Sequence, residues 1–311
     1  MPNDEKSDDD LPVGEYNPDD EENPIFSHGT SVAGKLLGNK FGVAPWADLV
    51  AVKKQDGRFL FTIFNDIDFL LKIYDHLLRS RNKYSDIKGA VIVYAYGFEV
   101  NFPHNRFFLQ AYEDLYIEIL QKLGEKGAYF LIPTGNESPS TKIAHYPQIL
   151  ISENLSGRRG GKRLTNTMLV GGIDTRTGEN LYQLNPEVKI FAPADEVSVP
   201  IGSSQYRGSE GNVGAVSGTS YAAPLVAGLL ATFMGLGEMD PVLKVESLAY
   251  PRINGGPPVL WNGITRSMWG TAQSQNRGSG GSKKRPSNEE PDEACDFERA
   301  KKKLCSSKPR N

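Results

Sequence analysis

Two stretches of the chain carry apolar residues at helical spacing, so that one face is apolar and the other polar. The first covers residues 63–78, with periodic apolar positions at Ile63, Ile67, Leu70, Leu71, Tyr74, Leu77 and Leu78. The second ends at Gly124 and has its apolar stripe at Phe108, Tyr112, Leu115, Ile119 and Leu123. Residues three or four apart share a helix face, and glycine commonly ends a helix. The pattern therefore predicts two amphipathic helices.

Around these helices run short apolar segments rich in β-branched and aromatic residues. Five of them are predicted strands, at 47–53, 90–97, 128–136, 167–173 and 188–193. Segment 90–97, AVIVYAYG, is almost continuously apolar, which is typical of a strand covered on both faces. Strands that alternate with helices favour a parallel sheet between helical layers. The predicted fold class is α/β, a three-layer α/β/α arrangement around a mostly parallel sheet.

Charge separates the two ends of the chain from its body. Residues 1–24 hold ten acidic residues and one lysine, and residues 273–311 hold ten basic and six acidic residues. Such segments have too few apolar side chains to offset the entropy of ordering. We therefore expect a disordered acidic segment at 1–24, a globular domain at 25–272, and a disordered charged linker and tail at 273–311.

Cysteine usage, charge and hydropathy exclude several protein classes. Both cysteines, Cys295 and Cys305, lie in the basic tail, which rules out a disulfide framework for the core and leaves open a local loop or two free thiols. The net charge of −3 is mild, and no apolar run approaches the roughly 18 residues of a membrane span. We expect neither a nucleic-acid nor a membrane partner. The first residues lack the pattern of a signal peptide.

Three segments bring chemically useful side chains to the ends of predicted strands or the starts of helices. HGTSVAG at 28–34 leads from His28 into small residues, PTGNES at 133–138 places Asn136 after a strand, and SGTSYAAPLVAG at 217–228 surrounds Ser220 with glycine and alanine. Glycine before a helix allows close approach of other backbone, and the first N–H groups of a helix face anions. Each residue alone is more typical of a cap or a turn.

Together and in this order, the segments resemble the subtilisin-like serine peptidases, the subtilases of peptidase family S8. Further matching features are GVAPWADLVAVK at 42–53 and TGNE at 134–137. The resemblance covers residues 26–235 and extends more weakly to 270. It implies a subtilisin-like fold and a serine endopeptidase that hydrolyses peptide bonds of peptide or protein substrates through a serine acyl-enzyme, without a cofactor. Family members are mostly exported, so a longer parent of this chain would be secreted.

The resemblance also assigns roles to single residues. His28 would take the proton of the Ser220 hydroxyl and return it to the leaving amine, since an imidazole does both near neutral pH. Ser220 would attack the peptide carbonyl and carry the acyl group. The side-chain N–H of Asn136, with the backbone N–H of Ser220, would hold the oxyanion.

Substrate binding is expected along Ala95, Tyr96 and Gly97, which occupy the place of the family's substrate-pairing strand. Ala95 stands where the family has serine. Because that contact is mainly backbone pairing, the replacement of serine by Ala95 has little effect on the expected substrate binding.

Structural calcium is common in the family, but no ligand cluster in the sequence is specific enough to place a metal. The sequence leaves open the side-chain specificity, the oligomeric state and the function of the tail.

The sequence lacks the triad aspartate, which orients the histidine, and the central strand that bears it in the family. In the family it ends a buried strand in an Asp-x-Gly turn, and the 27 residues before His28 contain neither feature. Asp19 and Asp20 precede His28 closely, and we expect both to be solvated. Two explanations stay open: a truncated form of a longer peptidase, which we favour, or a genuine short product with little remaining peptidase activity.

The alternative function is a non-catalytic subtilase-like module that binds extended peptides along residues 95–97. His76, His104 and His145 are expected to have structural or surface roles.

Overall fold

The computed structural model describes residues 28–52, 62–84, 87–98, 106–154, 164–200 and 213–264. Its helices are α1 His28–Leu37, α2 Thr62–Lys83, α3 Arg106–Glu125, α4 Gln148–Ser152, α5 Thr219–Gly235 and α6 Pro241–Leu248. Its strands are β1 Ala90–Val93, β2 Ala128–Pro133, β3 Thr167–Ile173, β4 Ile190–Pro193, β5 Val197–Pro200, β6 Val213–Val216, β7 Tyr250–Pro251 and β8 Pro258–Val259. The predicted disordered ends 1–24 and 273–311, with Asp19, Asp20, His104 and both cysteines, lie outside the described residues.

The central sheet has six strands in the order β1-β2-β3-β4-β8-β7. Strands β1 to β4 and β8 run parallel, and β7 runs antiparallel to β8 at the edge. The remaining strands, β5 and β6, form a separate antiparallel pair. Because β1 and β2 are parallel neighbours, the segments that follow them leave the sheet at the same edge. That edge carries residues 95–97 and Asn136.

Two apolar cores flank the sheet. On one side α2 and α3 pack against side chains such as Phe130 and Ile132. On the other side α5 packs its alanines and Val226 against Leu131, Val170 and Ile190. Alternate residues of β2 thus point to opposite cores, as strand geometry requires. This arrangement confirms the predicted three-layer α/β/α fold with a mostly parallel sheet. None of the described helices has the length and apolar character needed to cross a membrane.

The strand predictions hold best in the middle of the sheet. The predicted strand at 167–173 has the same bounds as β3, and the segment 128–136 contains β2. The segment 90–97 is a strand only to Val93, and 188–193 only from Ile190. The segment that follows Val93 contains residues 95–97, which are expected to bind substrate. These residues therefore lie beyond the end of the regular strand.

Both predicted helices are present, and Tyr112, Ile119 and Leu123 of the predicted α3 stripe are buried, but the buried face extends beyond that stripe. Leu115 is 43% exposed, while Tyr116 and Leu120 are fully buried in the core beside α2. In α2, Leu71 is likewise exposed, whereas Leu70 and Leu77 are buried. Each helix has apolar residues on more than one face. Contact with the sheet and the neighbouring helix decides which of these residues are buried.

The predicted strand at 47–53 is wrong for the residues that are described, 47–52. They form no strand, and Leu49, Val50 and Val52 are 53%, 57% and 48% exposed. A strand needs a neighbour that takes its backbone hydrogen bonds. Within the described residues β1, the edge strand of the sheet, pairs with β2 alone. Residues 47–52 do not pair with the open side of β1 in the part of the chain that the structure describes.

A buried carboxylate joins the two helices that cover one face of the sheet. Asp66 of α2 is fully buried, although the sequence pattern marked no polar residue there. Its carboxylate accepts a hydrogen bond from the Tyr94 hydroxyl and lies 3.5 Å from the Tyr112 hydroxyl of α3. Burial, with the adjacent Asp66 charge, raises the pKa of both tyrosines. Asp66 therefore connects α2, α3 and the residue after β1.

We expect Asp66→Ala to lower the free energy of unfolding by about 2–4 kcal/mol, because buried phenol donors lose their acceptor. Urea unfolding followed by circular dichroism measures this. Asp68→Ala is the matched control two positions along α2: its carboxylate is 55% exposed and pairs with Lys72 at 2.7 Å. Exposed pairs contribute about 0–1 kcal/mol. Equal losses in the two variants would contradict a stabilising role for the buried carboxylate.

Candidate active site

Ser220 lies in the first turn of α5, at the edge of the sheet where β1 and β2 end. Gly218, just before this helix, has φ +140°, a conformation that favours glycine, and a Cβ there would lie 3.2 Å from Asn136 Nδ2. Backbone N–H groups in a first helical turn have no intrahelical acceptor and carry the positive end of the helix dipole. The partly exposed Ser220 hydroxyl therefore lies beside donors that favour a negative charge.

Small residues let α5 approach the rest of the molecule. A Cβ on Gly228 would lie 2.5 Å from Val43 Cβ. Ala222, Ala223 and Ala227 are completely buried against the sheet. The glycines and alanines around and after Ser220 are thus explained by close packing as well as by the helix start.

Asn136 is brought to Ser220 by the turn that follows β2. Its Oδ1 accepts hydrogen bonds from the Thr219 backbone N–H at 2.9 Å and from the Thr219 hydroxyl at 3.0 Å. The Thr219 hydroxyl oxygen accepts a hydrogen bond from the Gly135 backbone N–H at 3.3 Å, and it lies 3.0 Å from the Gly135 carbonyl oxygen, which is the alternative acceptor for its single proton. Because the side-chain carbonyl is engaged, the amide N–H groups on Nδ2 stay available for a ligand beside Ser220.

His28 begins α1 and reaches the same place from another direction. Its ring centroid lies 5.6 Å from that of Tyr221, the residue after Ser220. Helix α1 is held against β5, because the Ser31 hydroxyl donates to Pro200 O at 3.0 Å and Lys35 Nζ donates to Ser198 O at 3.2 Å. The structure thus brings His28, Asn136 and Ser220 to one end of α5.

The surroundings of His28 favour its neutral form. Desolvation lowers the pKa of its imidazole, although part of the ring stays exposed. Among the described residues no carboxylate is within ion-pair distance of this ring, and no hydrogen bond joins it to the Ser220 hydroxyl. Catalytic hydrogen bonds are often long in a ligand-free site and shorten when substrate binds. A neutral imidazole beside a serine can accept its proton.

We expect His28 to titrate with a midpoint below the ordinary histidine value of about 6.5, because desolvation disfavours the imidazolium. The neutral base is then present above that midpoint and is lost as the pH falls through it. NMR titration of the histidine Cε1 protons measures the midpoint, and His28→Gln identifies the resonance. A midpoint above 6.5 would contradict the desolvated, carboxylate-free environment that the described residues provide.

Residues 95–97 lie after β1, next to the His28 side of the site. Ala95 packs against the apolar cluster that contains Val32 and Tyr221. Tyr96 is 44% exposed, and its carbonyl accepts a hydrogen bond from Gln148 Nε2 at 3.1 Å. The predicted substrate segment is therefore near His28 and the residue after Ser220, and it lies outside the regular strand.

Comparison with known proteins identifies the family of this fold and site. The model of the subtilase family, Peptidase_S8, matches residues 1–248. The chain belongs to the subtilase family. This confirms the resemblance seen in HGTSVAG, TGNE and GTSYAAPLVAG. The match includes Ser220, Asn136 and His28 but ends before residue 249.

The relatives of this subtilase are distant and longer. Subtilisin-like protease 2 of Trichophyton tonsurans is 26% identical over 251 residues, which is 77% of this chain and 50% of that protein. Subtilisin-like protease 3 of Saccharomyces cerevisiae is 26% identical over 223 residues, 70% of this chain and 39% of that protein. The chain spans half or less of the length of these two relatives.

Two solved structures share the fold. A cold adapted subtilisin-like serine proteinase aligns with a TM-score of 0.51 and 19% identity, over 76% of this chain and 75% of that one. Fervidolysin from Fervidobacterium pennivorans, described as a keratinolytic enzyme related to subtilisin, aligns with a TM-score of 0.52 and 18% identity, over 76% of this chain and 35% of that one. At these sequence identities, both structural similarities concern the fold of this subtilase alone.

Several polar residues of this subtilase's site were not found from its sequence. Gln148, Gln183 and Glu137 approach glycines of the site, although only Glu137 lies within a segment that the motifs mark. The signal for Glu137 was its place directly after Asn136. In the described ranges no group of three or more His, Cys, Asp and Glu side chains is arranged to hold a metal ion.

Proposed function

We propose that the chain is a serine endopeptidase that hydrolyses peptide bonds of peptide or protein substrates. The observation that carries the proposal is the convergence at the start of α5. There the Asn136 amide is fixed by Thr219 at 2.9 and 3.0 Å, and the His28 ring lies 5.6 Å from that of Tyr221. Membership of the subtilase family supports it. The proposal gives Ser220 the role of nucleophile, His28 that of general base and acid, and Asn136 that of oxyanion donor.

In the first half of the reaction, Ser220 Oγ attacks the carbonyl carbon of the scissile peptide bond. His28 accepts the hydroxyl proton, and the carbonyl oxygen becomes an oxyanion. Asn136 Nδ2–H and the Ser220 backbone N–H donate to that oxygen, aided by the positive end of the α5 dipole. The C–N bond then breaks, and His28 gives its proton to the leaving amine.

In the second half, water attacks the acyl-enzyme. His28 takes one proton from the water, the same donors hold the second oxyanion, and the bond between the acyl carbon and Ser220 Oγ breaks. The proton returns to Ser220, and a carboxylic acid leaves. Residues 95–97 would position the substrate as an extended chain by backbone hydrogen bonds.

A second candidate, a peptide-binding module without turnover, is favoured by one observation. Among the described residues no carboxylate contacts the His28 ring, and loss of the orienting carboxylate costs about 10⁴-fold in turnover in serine proteases. Asp19 and Asp20 lie outside the described residues. The second candidate keeps peptide binding along residues 95–97 without hydrolysis.

Hydrolysis of denatured casein separates the two functions. We expect the chain to release new amino termini, detected with an amine-reactive fluorophore, and phenylmethanesulfonyl fluoride to block their release. The alternative predicts binding of casein peptides, measured by isothermal titration calorimetry, with no new termini at any enzyme concentration. That outcome would overturn the peptidase and leave the binding module.

A further inference from the structure

Residues 95–97, the proposed substrate segment, continue the chain beyond the last residue of β1. Among the described residues, no hydrogen bond reaches the backbone groups of Ala95 or Gly97. These groups are available to a peptide, but no neighbouring strand fixes their position. Backbone pairing with a peptide is most favourable when the pairing groups are already in place before binding. The contacts on either side of the segment therefore decide how well it binds a peptide.

Tyr94 fixes the first end of this segment from two directions. Its backbone N–H donates to Leu131 O of β2 at 2.9 Å, and its hydroxyl donates to the carboxylate of Asp66 in α2. Asp66 is completely buried. Hydrogen bonds to a charged group are stronger than those between neutral groups. The buried carboxylate therefore holds the Tyr94 side chain in one position.

Phe98 fixes the other end through Tyr146. The Phe98 backbone N–H donates to Tyr146 O at 3.0 Å, and the Phe98 carbonyl accepts from the Tyr146 N–H at 2.8 Å. The Tyr146 hydroxyl in turn donates to Glu113 Oε1 of α3 at 2.6 Å. Tyr146 and Glu113 are both buried. The second end thus also depends on a buried carboxylate, this time from the other helix.

Aromatic rings connect the two ends along the segment. The ring centroids of Tyr94 and Tyr96 are 6.1 Å apart, those of Tyr96 and Phe98 are 6.1 Å apart, and those of Phe98 and Tyr146 are 6.3 Å apart. Ring pairs at such distances attract each other. The Tyr96 carbonyl also accepts a hydrogen bond from Gln148. A shift at either end would therefore move the backbone of residues 95–97.

The charge of the two acceptors is what calls for an explanation. Burying a carboxylate is costly, and apolar residues of similar size often stabilise a core as well or better. Asp66 and Glu113 are on different helices, yet each accepts the hydroxyl of a tyrosine that holds one end of the same short segment. This arrangement favours a role in positioning the segment over a role in stability alone.

We propose that Asp66 and Glu113 are positioning residues for the substrate. Through the hydroxyls of Tyr94 and Tyr146, they hold the backbone of residues 95–97 in the geometry that pairs with an extended peptide. We call these four residues the tyrosine–carboxylate clamp. All four act through the segment and not on the scissile bond. The inference rests on the proposed binding of peptides along residues 95–97, which the peptidase and the binding module have in common.

The variant Tyr94→Phe tests the clamp, because it keeps the ring and removes the hydroxyl. For acetyl-Ala-Ala-Ala-Ala-aminomethylcoumarin we expect kcat/KM to fall by about 3-fold to 30-fold, mainly through KM, which is less than the full value of a hydrogen bond to a charged group. For p-nitrophenyl acetate, which is too short to pair with residues 95–97, kcat/KM should stay unchanged. A loss of folded protein would lower both values equally, so the peptide-to-ester ratio reports positioning. Tyr146→Phe should lower the same ratio.

The matched control is Tyr112→Phe. The Tyr112 hydroxyl lies 3.5 Å from the second carboxylate oxygen of Asp66, but Tyr112 belongs to α3 and not to the substrate segment. We expect this variant to keep the peptide-to-ester ratio. An equal fall of the ratio in Tyr94→Phe and Tyr112→Phe would overturn the inference. So would an unchanged ratio in both Tyr94→Phe and Tyr146→Phe.

A binding measurement separates failure of the clamp from failure of the peptidase. Fluorescence anisotropy of fluorescein-labelled denatured casein reports affinity, and a Ser220→Ala background prevents turnover. Binding weakened by Tyr94→Phe but not by Tyr112→Phe supports the clamp even where the unchanged chain cleaves nothing, a result that counts against the peptidase alone. Equal affinity in both variants and the background overturns the clamp even where the unchanged chain cleaves casein. No binding at all would overturn both the clamp and the proposed function.

Discussion

Ser220→Ala is expected to reduce peptide hydrolysis to the background of the assay. The loss for the corresponding serine of subtilisin is about 10⁶-fold in kcat, a magnitude measured on subtilisin itself. The physical reason is that alanine offers no oxygen to form the acyl-enzyme, while the donors of Asn136 and of α5 remain. The substitution removes one partly exposed hydroxyl at a helix start, so folding should be unchanged. Steady-state kinetics on a fluorogenic peptide that releases aminomethylcoumarin measure the loss.

His28→Ala and the double variant provide the control for Ser220→Ala. Because nucleophile and base act as one unit, the double variant should be about as slow as either single variant. Peptide affinity should persist in all three proteins, since none of the changes touches residues 95–97. If Ser220→Ala kept more than a tenth of the turnover of the unchanged chain, another group would be the nucleophile.

Asn136→Ala is expected to lower kcat by about 10²–10³-fold with little change in KM, a magnitude known from the oxyanion asparagine of subtilisin. The amide N–H groups are needed only when the carbonyl oxygen carries negative charge. The loss therefore falls on the transition state and not on substrate binding. Single-turnover kinetics should show the same loss in the acylation step.

Thr219→Val separates donation to the oxyanion from positioning of α5. Asn136 Oδ1 also accepts two bonds from Thr219, so Asn136→Ala loosens the helix start as well. Valine removes the hydroxyl contacts with Asn136 and with the Gly135 backbone, and it retains the backbone N–H bond to Asn136 at 2.9 Å. We expect a loss below about tenfold, the value of one neutral hydrogen bond. A loss as large as that of Asn136→Ala would mean that Asn136 acts mainly by positioning.

The residues of the candidate site could be selected from the sequence because their neighbours are constrained. Gly218 needs a positive φ and room beside Asn136, and the alanines after Ser220 must fit against the sheet. These requirements give the segment a recognisable sequence. The convergence of His28, Asn136 and Ser220 on one end of α5 could not be read from spacing alone. It depends on which strands are neighbours in the sheet.

Other parts of the fold depend on partners that a local pattern does not specify. Segment 47–53 has strand-forming residues, yet 47–52 pair with none of the described strands and form no strand. Leu115 fits the predicted stripe of α3, but Tyr116 fills the core instead. Asp66 is a charged residue whose burial depends on a tyrosine from another element. Gln148 and Gln183 are surface-like residue types that only the folded chain brings to Gly97 and Gly135.

The most direct test of the account is covalent labelling with a fluorophosphonate probe, followed by mass spectrometry of the labelled peptide. Such a probe reacts with a serine that a neighbouring base and an oxyanion site activate. We predict one adduct, on Ser220, which Ser220→Ala abolishes and His28→Ala and Asn136→Ala slow strongly. An adduct on another residue, or no adduct on a folded chain that binds peptide, would contradict the claim that these three residues form one catalytic centre.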